Sequence, residues 1–227
     1  MSIRGWWMDW RRRRLLARSG TNPLGQYLSR EFPHPSRPLS EVEFLAVDLE
    51  TTALNPAQGE MVSVGWVPII GGGICLSQAR HVLMRPRRGV SDQSAVVHGL
   101  TEEQLAHAAP REAVLPELLQ HLAGRVLLCH FARIETSFLS AACRELYGQP
   151  LLVPVVDTLA LALRAQDRRG LAPVPGELRL AALRQALGLP RYPAHHALMD
   201  AVATAELFLA QAARIGGHGE PTLAELG

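Results

Sequence analysis

FLAVDLETT, residues 44–52, decides how this chain is read. A short apolar run bounded by turn residues predicts a buried β-strand. Alternation along that strand puts Asp48 and Glu50 on one face and Leu49 on the other. Two carboxylates side by side on a buried strand repel each other when ionised, and a divalent cation removes the conflict. The alternative is a pair of acids at a strand end facing water, and the apolar run that ends in Asp-x-Glu argues against it. Thr51, Thr52 and Ala53 then read as a turn that presents backbone N–H groups.

Working outward from this strand, MVSVGWVPI (61–69) predicts a second strand. ICLSQARHVLMRP (74–86) predicts a third, joined to it as a hairpin through Gly71-Gly72-Gly73. TEEQLAHA, capped by Thr101, and REAVLPELLQHLAG predict helices. VLLCH (126–130) predicts a strand that runs into a helix through ARIETSFLSAACREL. VVDTLALALRA (155–165) is a strand end followed by a helix capped at Asp157. ELRLAALRQALG and HHALMDAVATAELFLAQAARI close the pattern as helices. Antiparallel strands followed by strand–helix alternation predict an α/β fold, a mixed sheet flanked by helices.

The chain of 227 residues is 48% hydrophobic, enough for one domain with a full core plus extra length. Residues 1–40 carry eight arginines against Asp9 and Glu31 and read as a basic Arg/Trp-rich arm ending in the Pro-rich linker FPHPSRP (32–38). The expected division is this arm, a domain over 41–215, and a tail over 216–227. For WWMDWRRRR three readings stand open: a short amphipathic helix docked on the domain, a contact for nucleic acid phosphates, and a surface for a protein or membrane. The body beyond residue 40 is mildly acidic, and all 23 basic residues are arginine. Cys75, Cys129 and Cys143 lack metal-ligand spacing and read as buried free thiols. No run is long and apolar enough for a membrane span, and the first residues lack a signal-peptide core, so the cytoplasm is expected.

Two more segments bear polar residues of interest. In HHALMDA, Asp200 sits five residues after His195. The two reach one site if His195 precedes the helix, as Pro193 suggests, and leans over it. Taken alone, a histidine here reads as a capping or surface group. Glu135, in LLCHFARIETSFL (127–139), reads equally as a solvated helix acid. Together, four carboxylates and one histidine are the set a two-metal phosphodiesterase uses: hard cations prefer carboxylate oxygens, and histidine deprotonates water near neutral pH.

These segments resemble the DEDDh branch of the DnaQ-like 3′→5′ exonucleases, the group that holds the proofreading subunit of bacterial replicative polymerase. The likeness runs over about residues 44–212. It rests on Asp48-Leu49-Glu50-Thr51-Thr52-Ala53 for the family's DxETTG and on His195-His196-Ala197-Leu198-Met199-Asp200-Ala201 for HxALxDA. HGLTEEQL (98–105) and VDTLALA (156–162) stand between them in the right order. The resemblance implies a ribonuclease H-like fold. It implies Asp48, Glu50, Glu135 and Asp200 as ligands for two Mg²⁺ or Mn²⁺ ions, with Asp48 bridging both and His195 as general base. The family's second motif, HNAxFDxxFL, appears here as His130-Phe131-Ala132-Arg133-Ile134-Glu135-Thr136-Ser137-Phe138-Leu139. Phe131 replaces Asn and Glu135 replaces Asp. A glutamate keeps the charge and moves the carboxylate by about a bond length, a shift that matters in positioned catalysis.

The implied activity is stepwise release of nucleoside 5′-monophosphates from single-stranded or frayed DNA 3′ ends. Leu49, Thr51, Thr52, Ala53, Leu54, His98, Phe138 and His195 are the expected substrate contacts. The alternatives are the same chemistry on RNA ends or short oligonucleotides, and a catalytically weakened module that binds nucleic acid beside a polymerase. No polymerase segment is present, so proofreading would act in trans, with a DNA polymerase or another protein as partner and no membrane.

Overall fold

The computed structural model describes residues 3–87, 100–172, 174–193, 195–217 and 219–227. Strand β1 is Phe44–Thr51 and β2 is Met61–Ile70. Two short strands follow, β3 (Gly73–Ile74) and β4 (Arg80–Leu83), then β5 (Val126–Cys129) and β6 (Val155–Asp157). The sheet order is β3-β2-β1-β5-β6, with β4 also paired to β2. β1 and β2 are antiparallel, and β5 runs parallel to both β1 and β6. The expected mixed sheet is therefore present.

Helices α1 (Ile3–Ser19), α2 (Pro23–Ser29), α3 (Glu102–Ala106), α4 (Arg111–Leu122) and α5 (Arg133–Tyr147) precede β6. Helices α6 (Thr158–Asp167), α7 (Leu180–Ala186), α8 (Ala197–Gly216) and α9 (Leu223–Leu226) follow it. Thr101 caps α3 in a reciprocal capping box with Gln104, which satisfies two orphan amides at once.

Alternation in β1 divides the core. Leu45, Val47 and Leu49 join Leu24, Leu119 and Leu139 on one face of the sheet. Phe44 and Ala46 join Phe208, Ala205 and Leu161 on the other. Asp48 and Glu50 continue the second row, towards α8.

Four expectations need correction. The third strand is broken: β3 pairs with Ile69 and Ile70, β4 pairs with residues 63–66, and the turn Leu76–Gln78 takes up the three-residue slip in register between them. Cys75 there is half-buried, unlike Cys129 and Cys143. Residues 1–40 are not a separate arm. Leu24, Tyr27 and Leu28 are core residues, Met8, Leu15 and Leu16 pack against that core, and the Tyr27 hydroxyl donates to the Leu152 carbonyl at 2.9 Å. Arg12 is buried against Asp9 and donates to the Leu28 carbonyl. Trp7 and Trp10 face outward, with Arg11 and Arg14 over their rings. The segment 216–227 is not a loose tail either. Leu223 and Leu226 enter the second core, and the chain clasps the Pro-rich stretch through Leu223 N–H to Arg37 O (2.9 Å) and Leu39 N–H to Pro221 O (3.0 Å). Prolines that cannot complete a ladder still accept or flank single bonds of this kind.

One glycine sets the approach of helix to sheet. Gly65 lies directly across the β1–β2 ladder from Asp48, and a Cβ there would stand 2.1 Å from Leu198 N and 2.3 Å from Ala197 C. The first turn of α8 therefore rests on bare backbone. Gly65→Ala is expected to lower stability in urea unfolding by about 1–3 kcal/mol or more, the usual cost of overpacking against an immobile neighbour. An unchanged midpoint would mean that α8 can slide off the sheet at no cost.

Candidate active site

The C-terminal end of β1, the start of α5 and the start of α8 converge. Asp48, Glu50 and Asp200 can each present a carboxylate oxygen with all three oxygens within 4.8 Å of one another. Asp200 lies in the first turn of α8 and His195 precedes the helix, the arrangement that Pro193 suggested. Its Oδ2 accepts from the backbone N–H of His195 (2.8 Å) and of His196 (3.3 Å). His195 precedes the helix with φ +67°, a left-handed conformation that histidine adopts more readily than bulky or branched residues. Its side chain is exposed. His196 is the N-cap and stacks on His81, ring centroids 4.3 Å apart, with the His81 imidazole bonded to Ser63.

Glu135 is buried in the first turn of α5 and lies outside the close triad. Burial pushes its carboxyl up to about 8, with the neighbouring Asp157 adding to the rise and hydrogen bonds from its own and the Leu49 backbone opposing it. Its Oε2 has no hydrogen-bond partner among the described residues. Burial also holds the Asp48 carboxyl well above the usual range, reinforced by Glu135, then Asp200 and Glu50. Asp200 is raised by burial and partly relieved by the two histidine amides. An all-oxygen set of mutually repelling carboxylates, one with an orphaned oxygen, fits a hard divalent cation.

The expected substrate contacts fall out unevenly. Leu49 turns its side chain into the opposite core. The Thr52 N–H is taken by the Glu60 carbonyl (2.9 Å), and Thr51 Oγ1 donates to Ala53 O (2.9 Å), so the turn is braced internally. Ala53 is not among the residues with positive φ, so alanine sits there without strain. Leu54 is 78% exposed. Phe138 is buried and lines a cavity of about 440 Å³ with Pro56, Gly59, Met61 and Arg87. His98 lies outside the described residues.

Residues outside the set of four carboxylates and one histidine complete the frame. Asp157 caps α6 as expected, and it also accepts from the N–H groups of Phe131 (2.9 Å) and Ala132 (3.0 Å), so one carboxylate fixes the turn that delivers Glu135. Gly65 sits inside an apolar strand, a place where glycine marks close backbone approach, and sequence reasoning passed over it. Phe131 takes φ +67° with its ring 43% exposed.

The exonuclease family's sequence model, that of RNase T, matches residues 45–208. The chain belongs to this exonuclease family. It is 34% identical over 169 residues to a PolC-type DNA polymerase III of Thermotoga maritima, covering 74% of this chain and 12% of that one. It is 33% identical over 201 residues to a DNA polymerase III subunit epsilon-like protein of Rhodobacter capsulatus, covering 86% of this chain and 26% of that one. The chain thus spans a minor part of both relatives. Among solved structures, the zinc-bound E. coli ExoI–ssDNA complex superposes with a TM-score of 0.65 at 18% identity, over 77% of this chain and 41% of that one. That likeness bears on the fold, which is the ribonuclease H-like fold of these exonucleases.

Two outcomes follow from the geometry of this family member. Glu135 is raised from 4.5 to about 8, so stability from its neutral form is complete below about 4.5 and is lost as pH rises through about 8. The melting temperature in chelator should fall across that window, Mg²⁺ or Mn²⁺ should restore it at the alkaline end, and Asp48→Asn should abolish the response to cation. A flat profile with no metal response would remove the electrostatic reading. Separately, Phe131→Asn should raise stability by about 1 kcal/mol, because asparagine tolerates the left-handed region better. Thermal melts of the two proteins measure it, and an unchanged or lower melting temperature would show that the Phe131 ring contributes more than its backbone costs.

Proposed function

We propose that the protein is a metal-dependent 3′→5′ exonuclease that releases nucleoside 5′-monophosphates from single-stranded or frayed DNA 3′ ends. The observation that carries this reading is the meeting of Asp48, Glu50 and Asp200, from segments 150 residues apart, within 4.8 Å in a chain of the exonuclease family.

In this reading Asp48, Glu50 and Asp200 hold divalent cations, Mg²⁺ or Mn²⁺, and Glu135 contributes the carboxylate with the orphaned oxygen. Bound cations of this kind polarise the phosphate and offset the charge that develops at phosphorus. His195 accepts the proton of the attacking water as general base. The Asp200 grip on the His195 amide sets where the imidazole stands. The water oxygen forms its bond to phosphorus, the bond to the 3′-oxygen breaks with its electron pair, and the phosphate leaves on the 5′ side of the released nucleoside. Leu54 offers an exposed apolar surface to the terminal base, and Phe138 lines a cavity with Pro56 and Met61. Only an unstacked end fits such a contact.

The test follows 3′-labelled and 5′-labelled DNA and RNA strands with Mg²⁺, Mn²⁺ or chelator. Stepwise shortening from the 3′ end is expected with metal. It should fall by about 10²–10³-fold or more in Asp48→Ala, and by about 10²–10⁴-fold in His195→Ala. Faster shortening of RNA would move the substrate class from DNA to RNA. No shortening with either metal would overturn the enzyme reading in favour of a nucleic-acid-binding module. Glu135→Asp separates a detuned site, in which the rate rises, from a site built around glutamate, in which it falls.

A further inference from the structure

Helices α6, α7 and the second half of α8 enclose a groove of about 410 Å³ that plays no part in the site above. Its floor is aliphatic, with Leu161, Leu187, Leu207 and Ile215. Its rim carries Arg164, Arg168, Arg169 and Arg214 against one acid, Glu225. Arg164 is held by the carbonyls of Leu226 (2.8 Å) and Gly227 (2.6 Å). Glu225 is engaged by Thr222 in a capping box. Arg168, Arg169 and Arg214 are exposed and form no ion pair among the described residues.

The walls are fastened. Arg184 of α7 is buried and donates to the Ala203 carbonyl (2.6 Å) and the Glu206 carboxylate (2.6 Å) of α8, and to Pro190 O (2.9 Å). Gln211 of α8 donates to Thr158 O at the start of α6 (3.0 Å). A concave, apolar, preformed groove is the usual shape of a binding site.

We propose that this groove docks an acidic peptide segment of a partner protein, one with aliphatic or aromatic anchors flanked by Asp or Glu. The anchors would cover the aliphatic floor, and the acids would meet the three uncompensated arginines. A nucleic acid strand fits less well. It would use the arginines but leave the floor uncovered, and among the described residues the lining contains no aromatic ring on which a base could stack. The residues of α8 that line the groove begin at Leu207, beyond the first turn that bears Asp200. Gln211 is eleven residues further on, roughly 16 Å at 1.5 Å per residue. An occupant there leaves the carboxylate triad open.

The test displays a random peptide library against the full chain. Binders are then measured by fluorescence anisotropy against the parent protein, Ala186→Trp (which fills the groove from an exposed position) and Arg168→Glu/Arg169→Glu. The expected consensus has Asp or Glu flanking Leu, Ile or Phe. Its affinity should fall with salt and by about tenfold or more in each variant, while circular dichroism and mononucleotide release stay at the parental level. Absence of such a consensus, or binders indifferent to both variants, would overturn the proposal. So would variants that weaken binding of a single-stranded oligonucleotide and leave the peptides unaffected, because the groove would then belong to nucleic acid.

Discussion

The close seating of α8 on β2 at Gly65 is the constraint on which the site depends. In an antiparallel ladder, directly opposed residues project to the same face. Gly65 is opposed to Asp48, so the space beside that carboxylate has no side chain from β2. The backbone of Ala197 and Leu198 occupies it. One turn of helix then carries Asp200 to the acids of β1, and the same turn aims the amides of His195 and His196 at the Asp200 carboxylate. A helix N-terminus favours negative charge, which offsets part of the cost of gathering acids there. Any larger residue at 65 lifts the helix and separates the two halves of the site.

The site is assembled against its own electrostatics. Asp48 is forced upward by burial and by three neighbouring acids, and Glu135 by burial and by Asp157. Backbone amides hold two of the acids in place. Asp200 draws on two amides ahead of α8, and Asp157 draws on two at the β5–α5 turn and one at the start of α6. The second of these arrangements determines where Glu135 stands, and it fixes the left-handed backbone of Phe131 at the same time. The bulky residue at 131 and the longer acid at 135 are therefore linked through one turn.

Much of this was legible. The apolar run closed by Asp48 and Glu50 marked β1 and its two faces, and Pro193 pointed to a histidine ahead of its helix. The Thr101 cap and the Asp157 cap were written in local side-chain chemistry. Other features were not legible. Leu24, Tyr27, Leu28, Leu223 and Leu226 sit in segments whose arginines, prolines and glycines dominate their composition, so they read as an arm and a tail. They become core only because the sheet leaves both faces to be covered. The break at Leu76–Gln78 was hidden because an apolar run does not report a register slip.

The sequence by itself determined the strand that bears Asp48 and Glu50 and the helices that follow, because periodicity and capping act over a few residues; Glu135 and Asp200 joined the candidate set through the family resemblance. Tertiary structure decided which of those acids meet within a few ångströms and which one stands apart with an unpartnered oxygen. It also decided that Leu49 faces away and that both chain ends close over the core. Those outcomes depend on how closely a helix can approach a strand and on which faces remain to be buried. Both are set by contacts between residues far apart in the chain, and no local pattern records them.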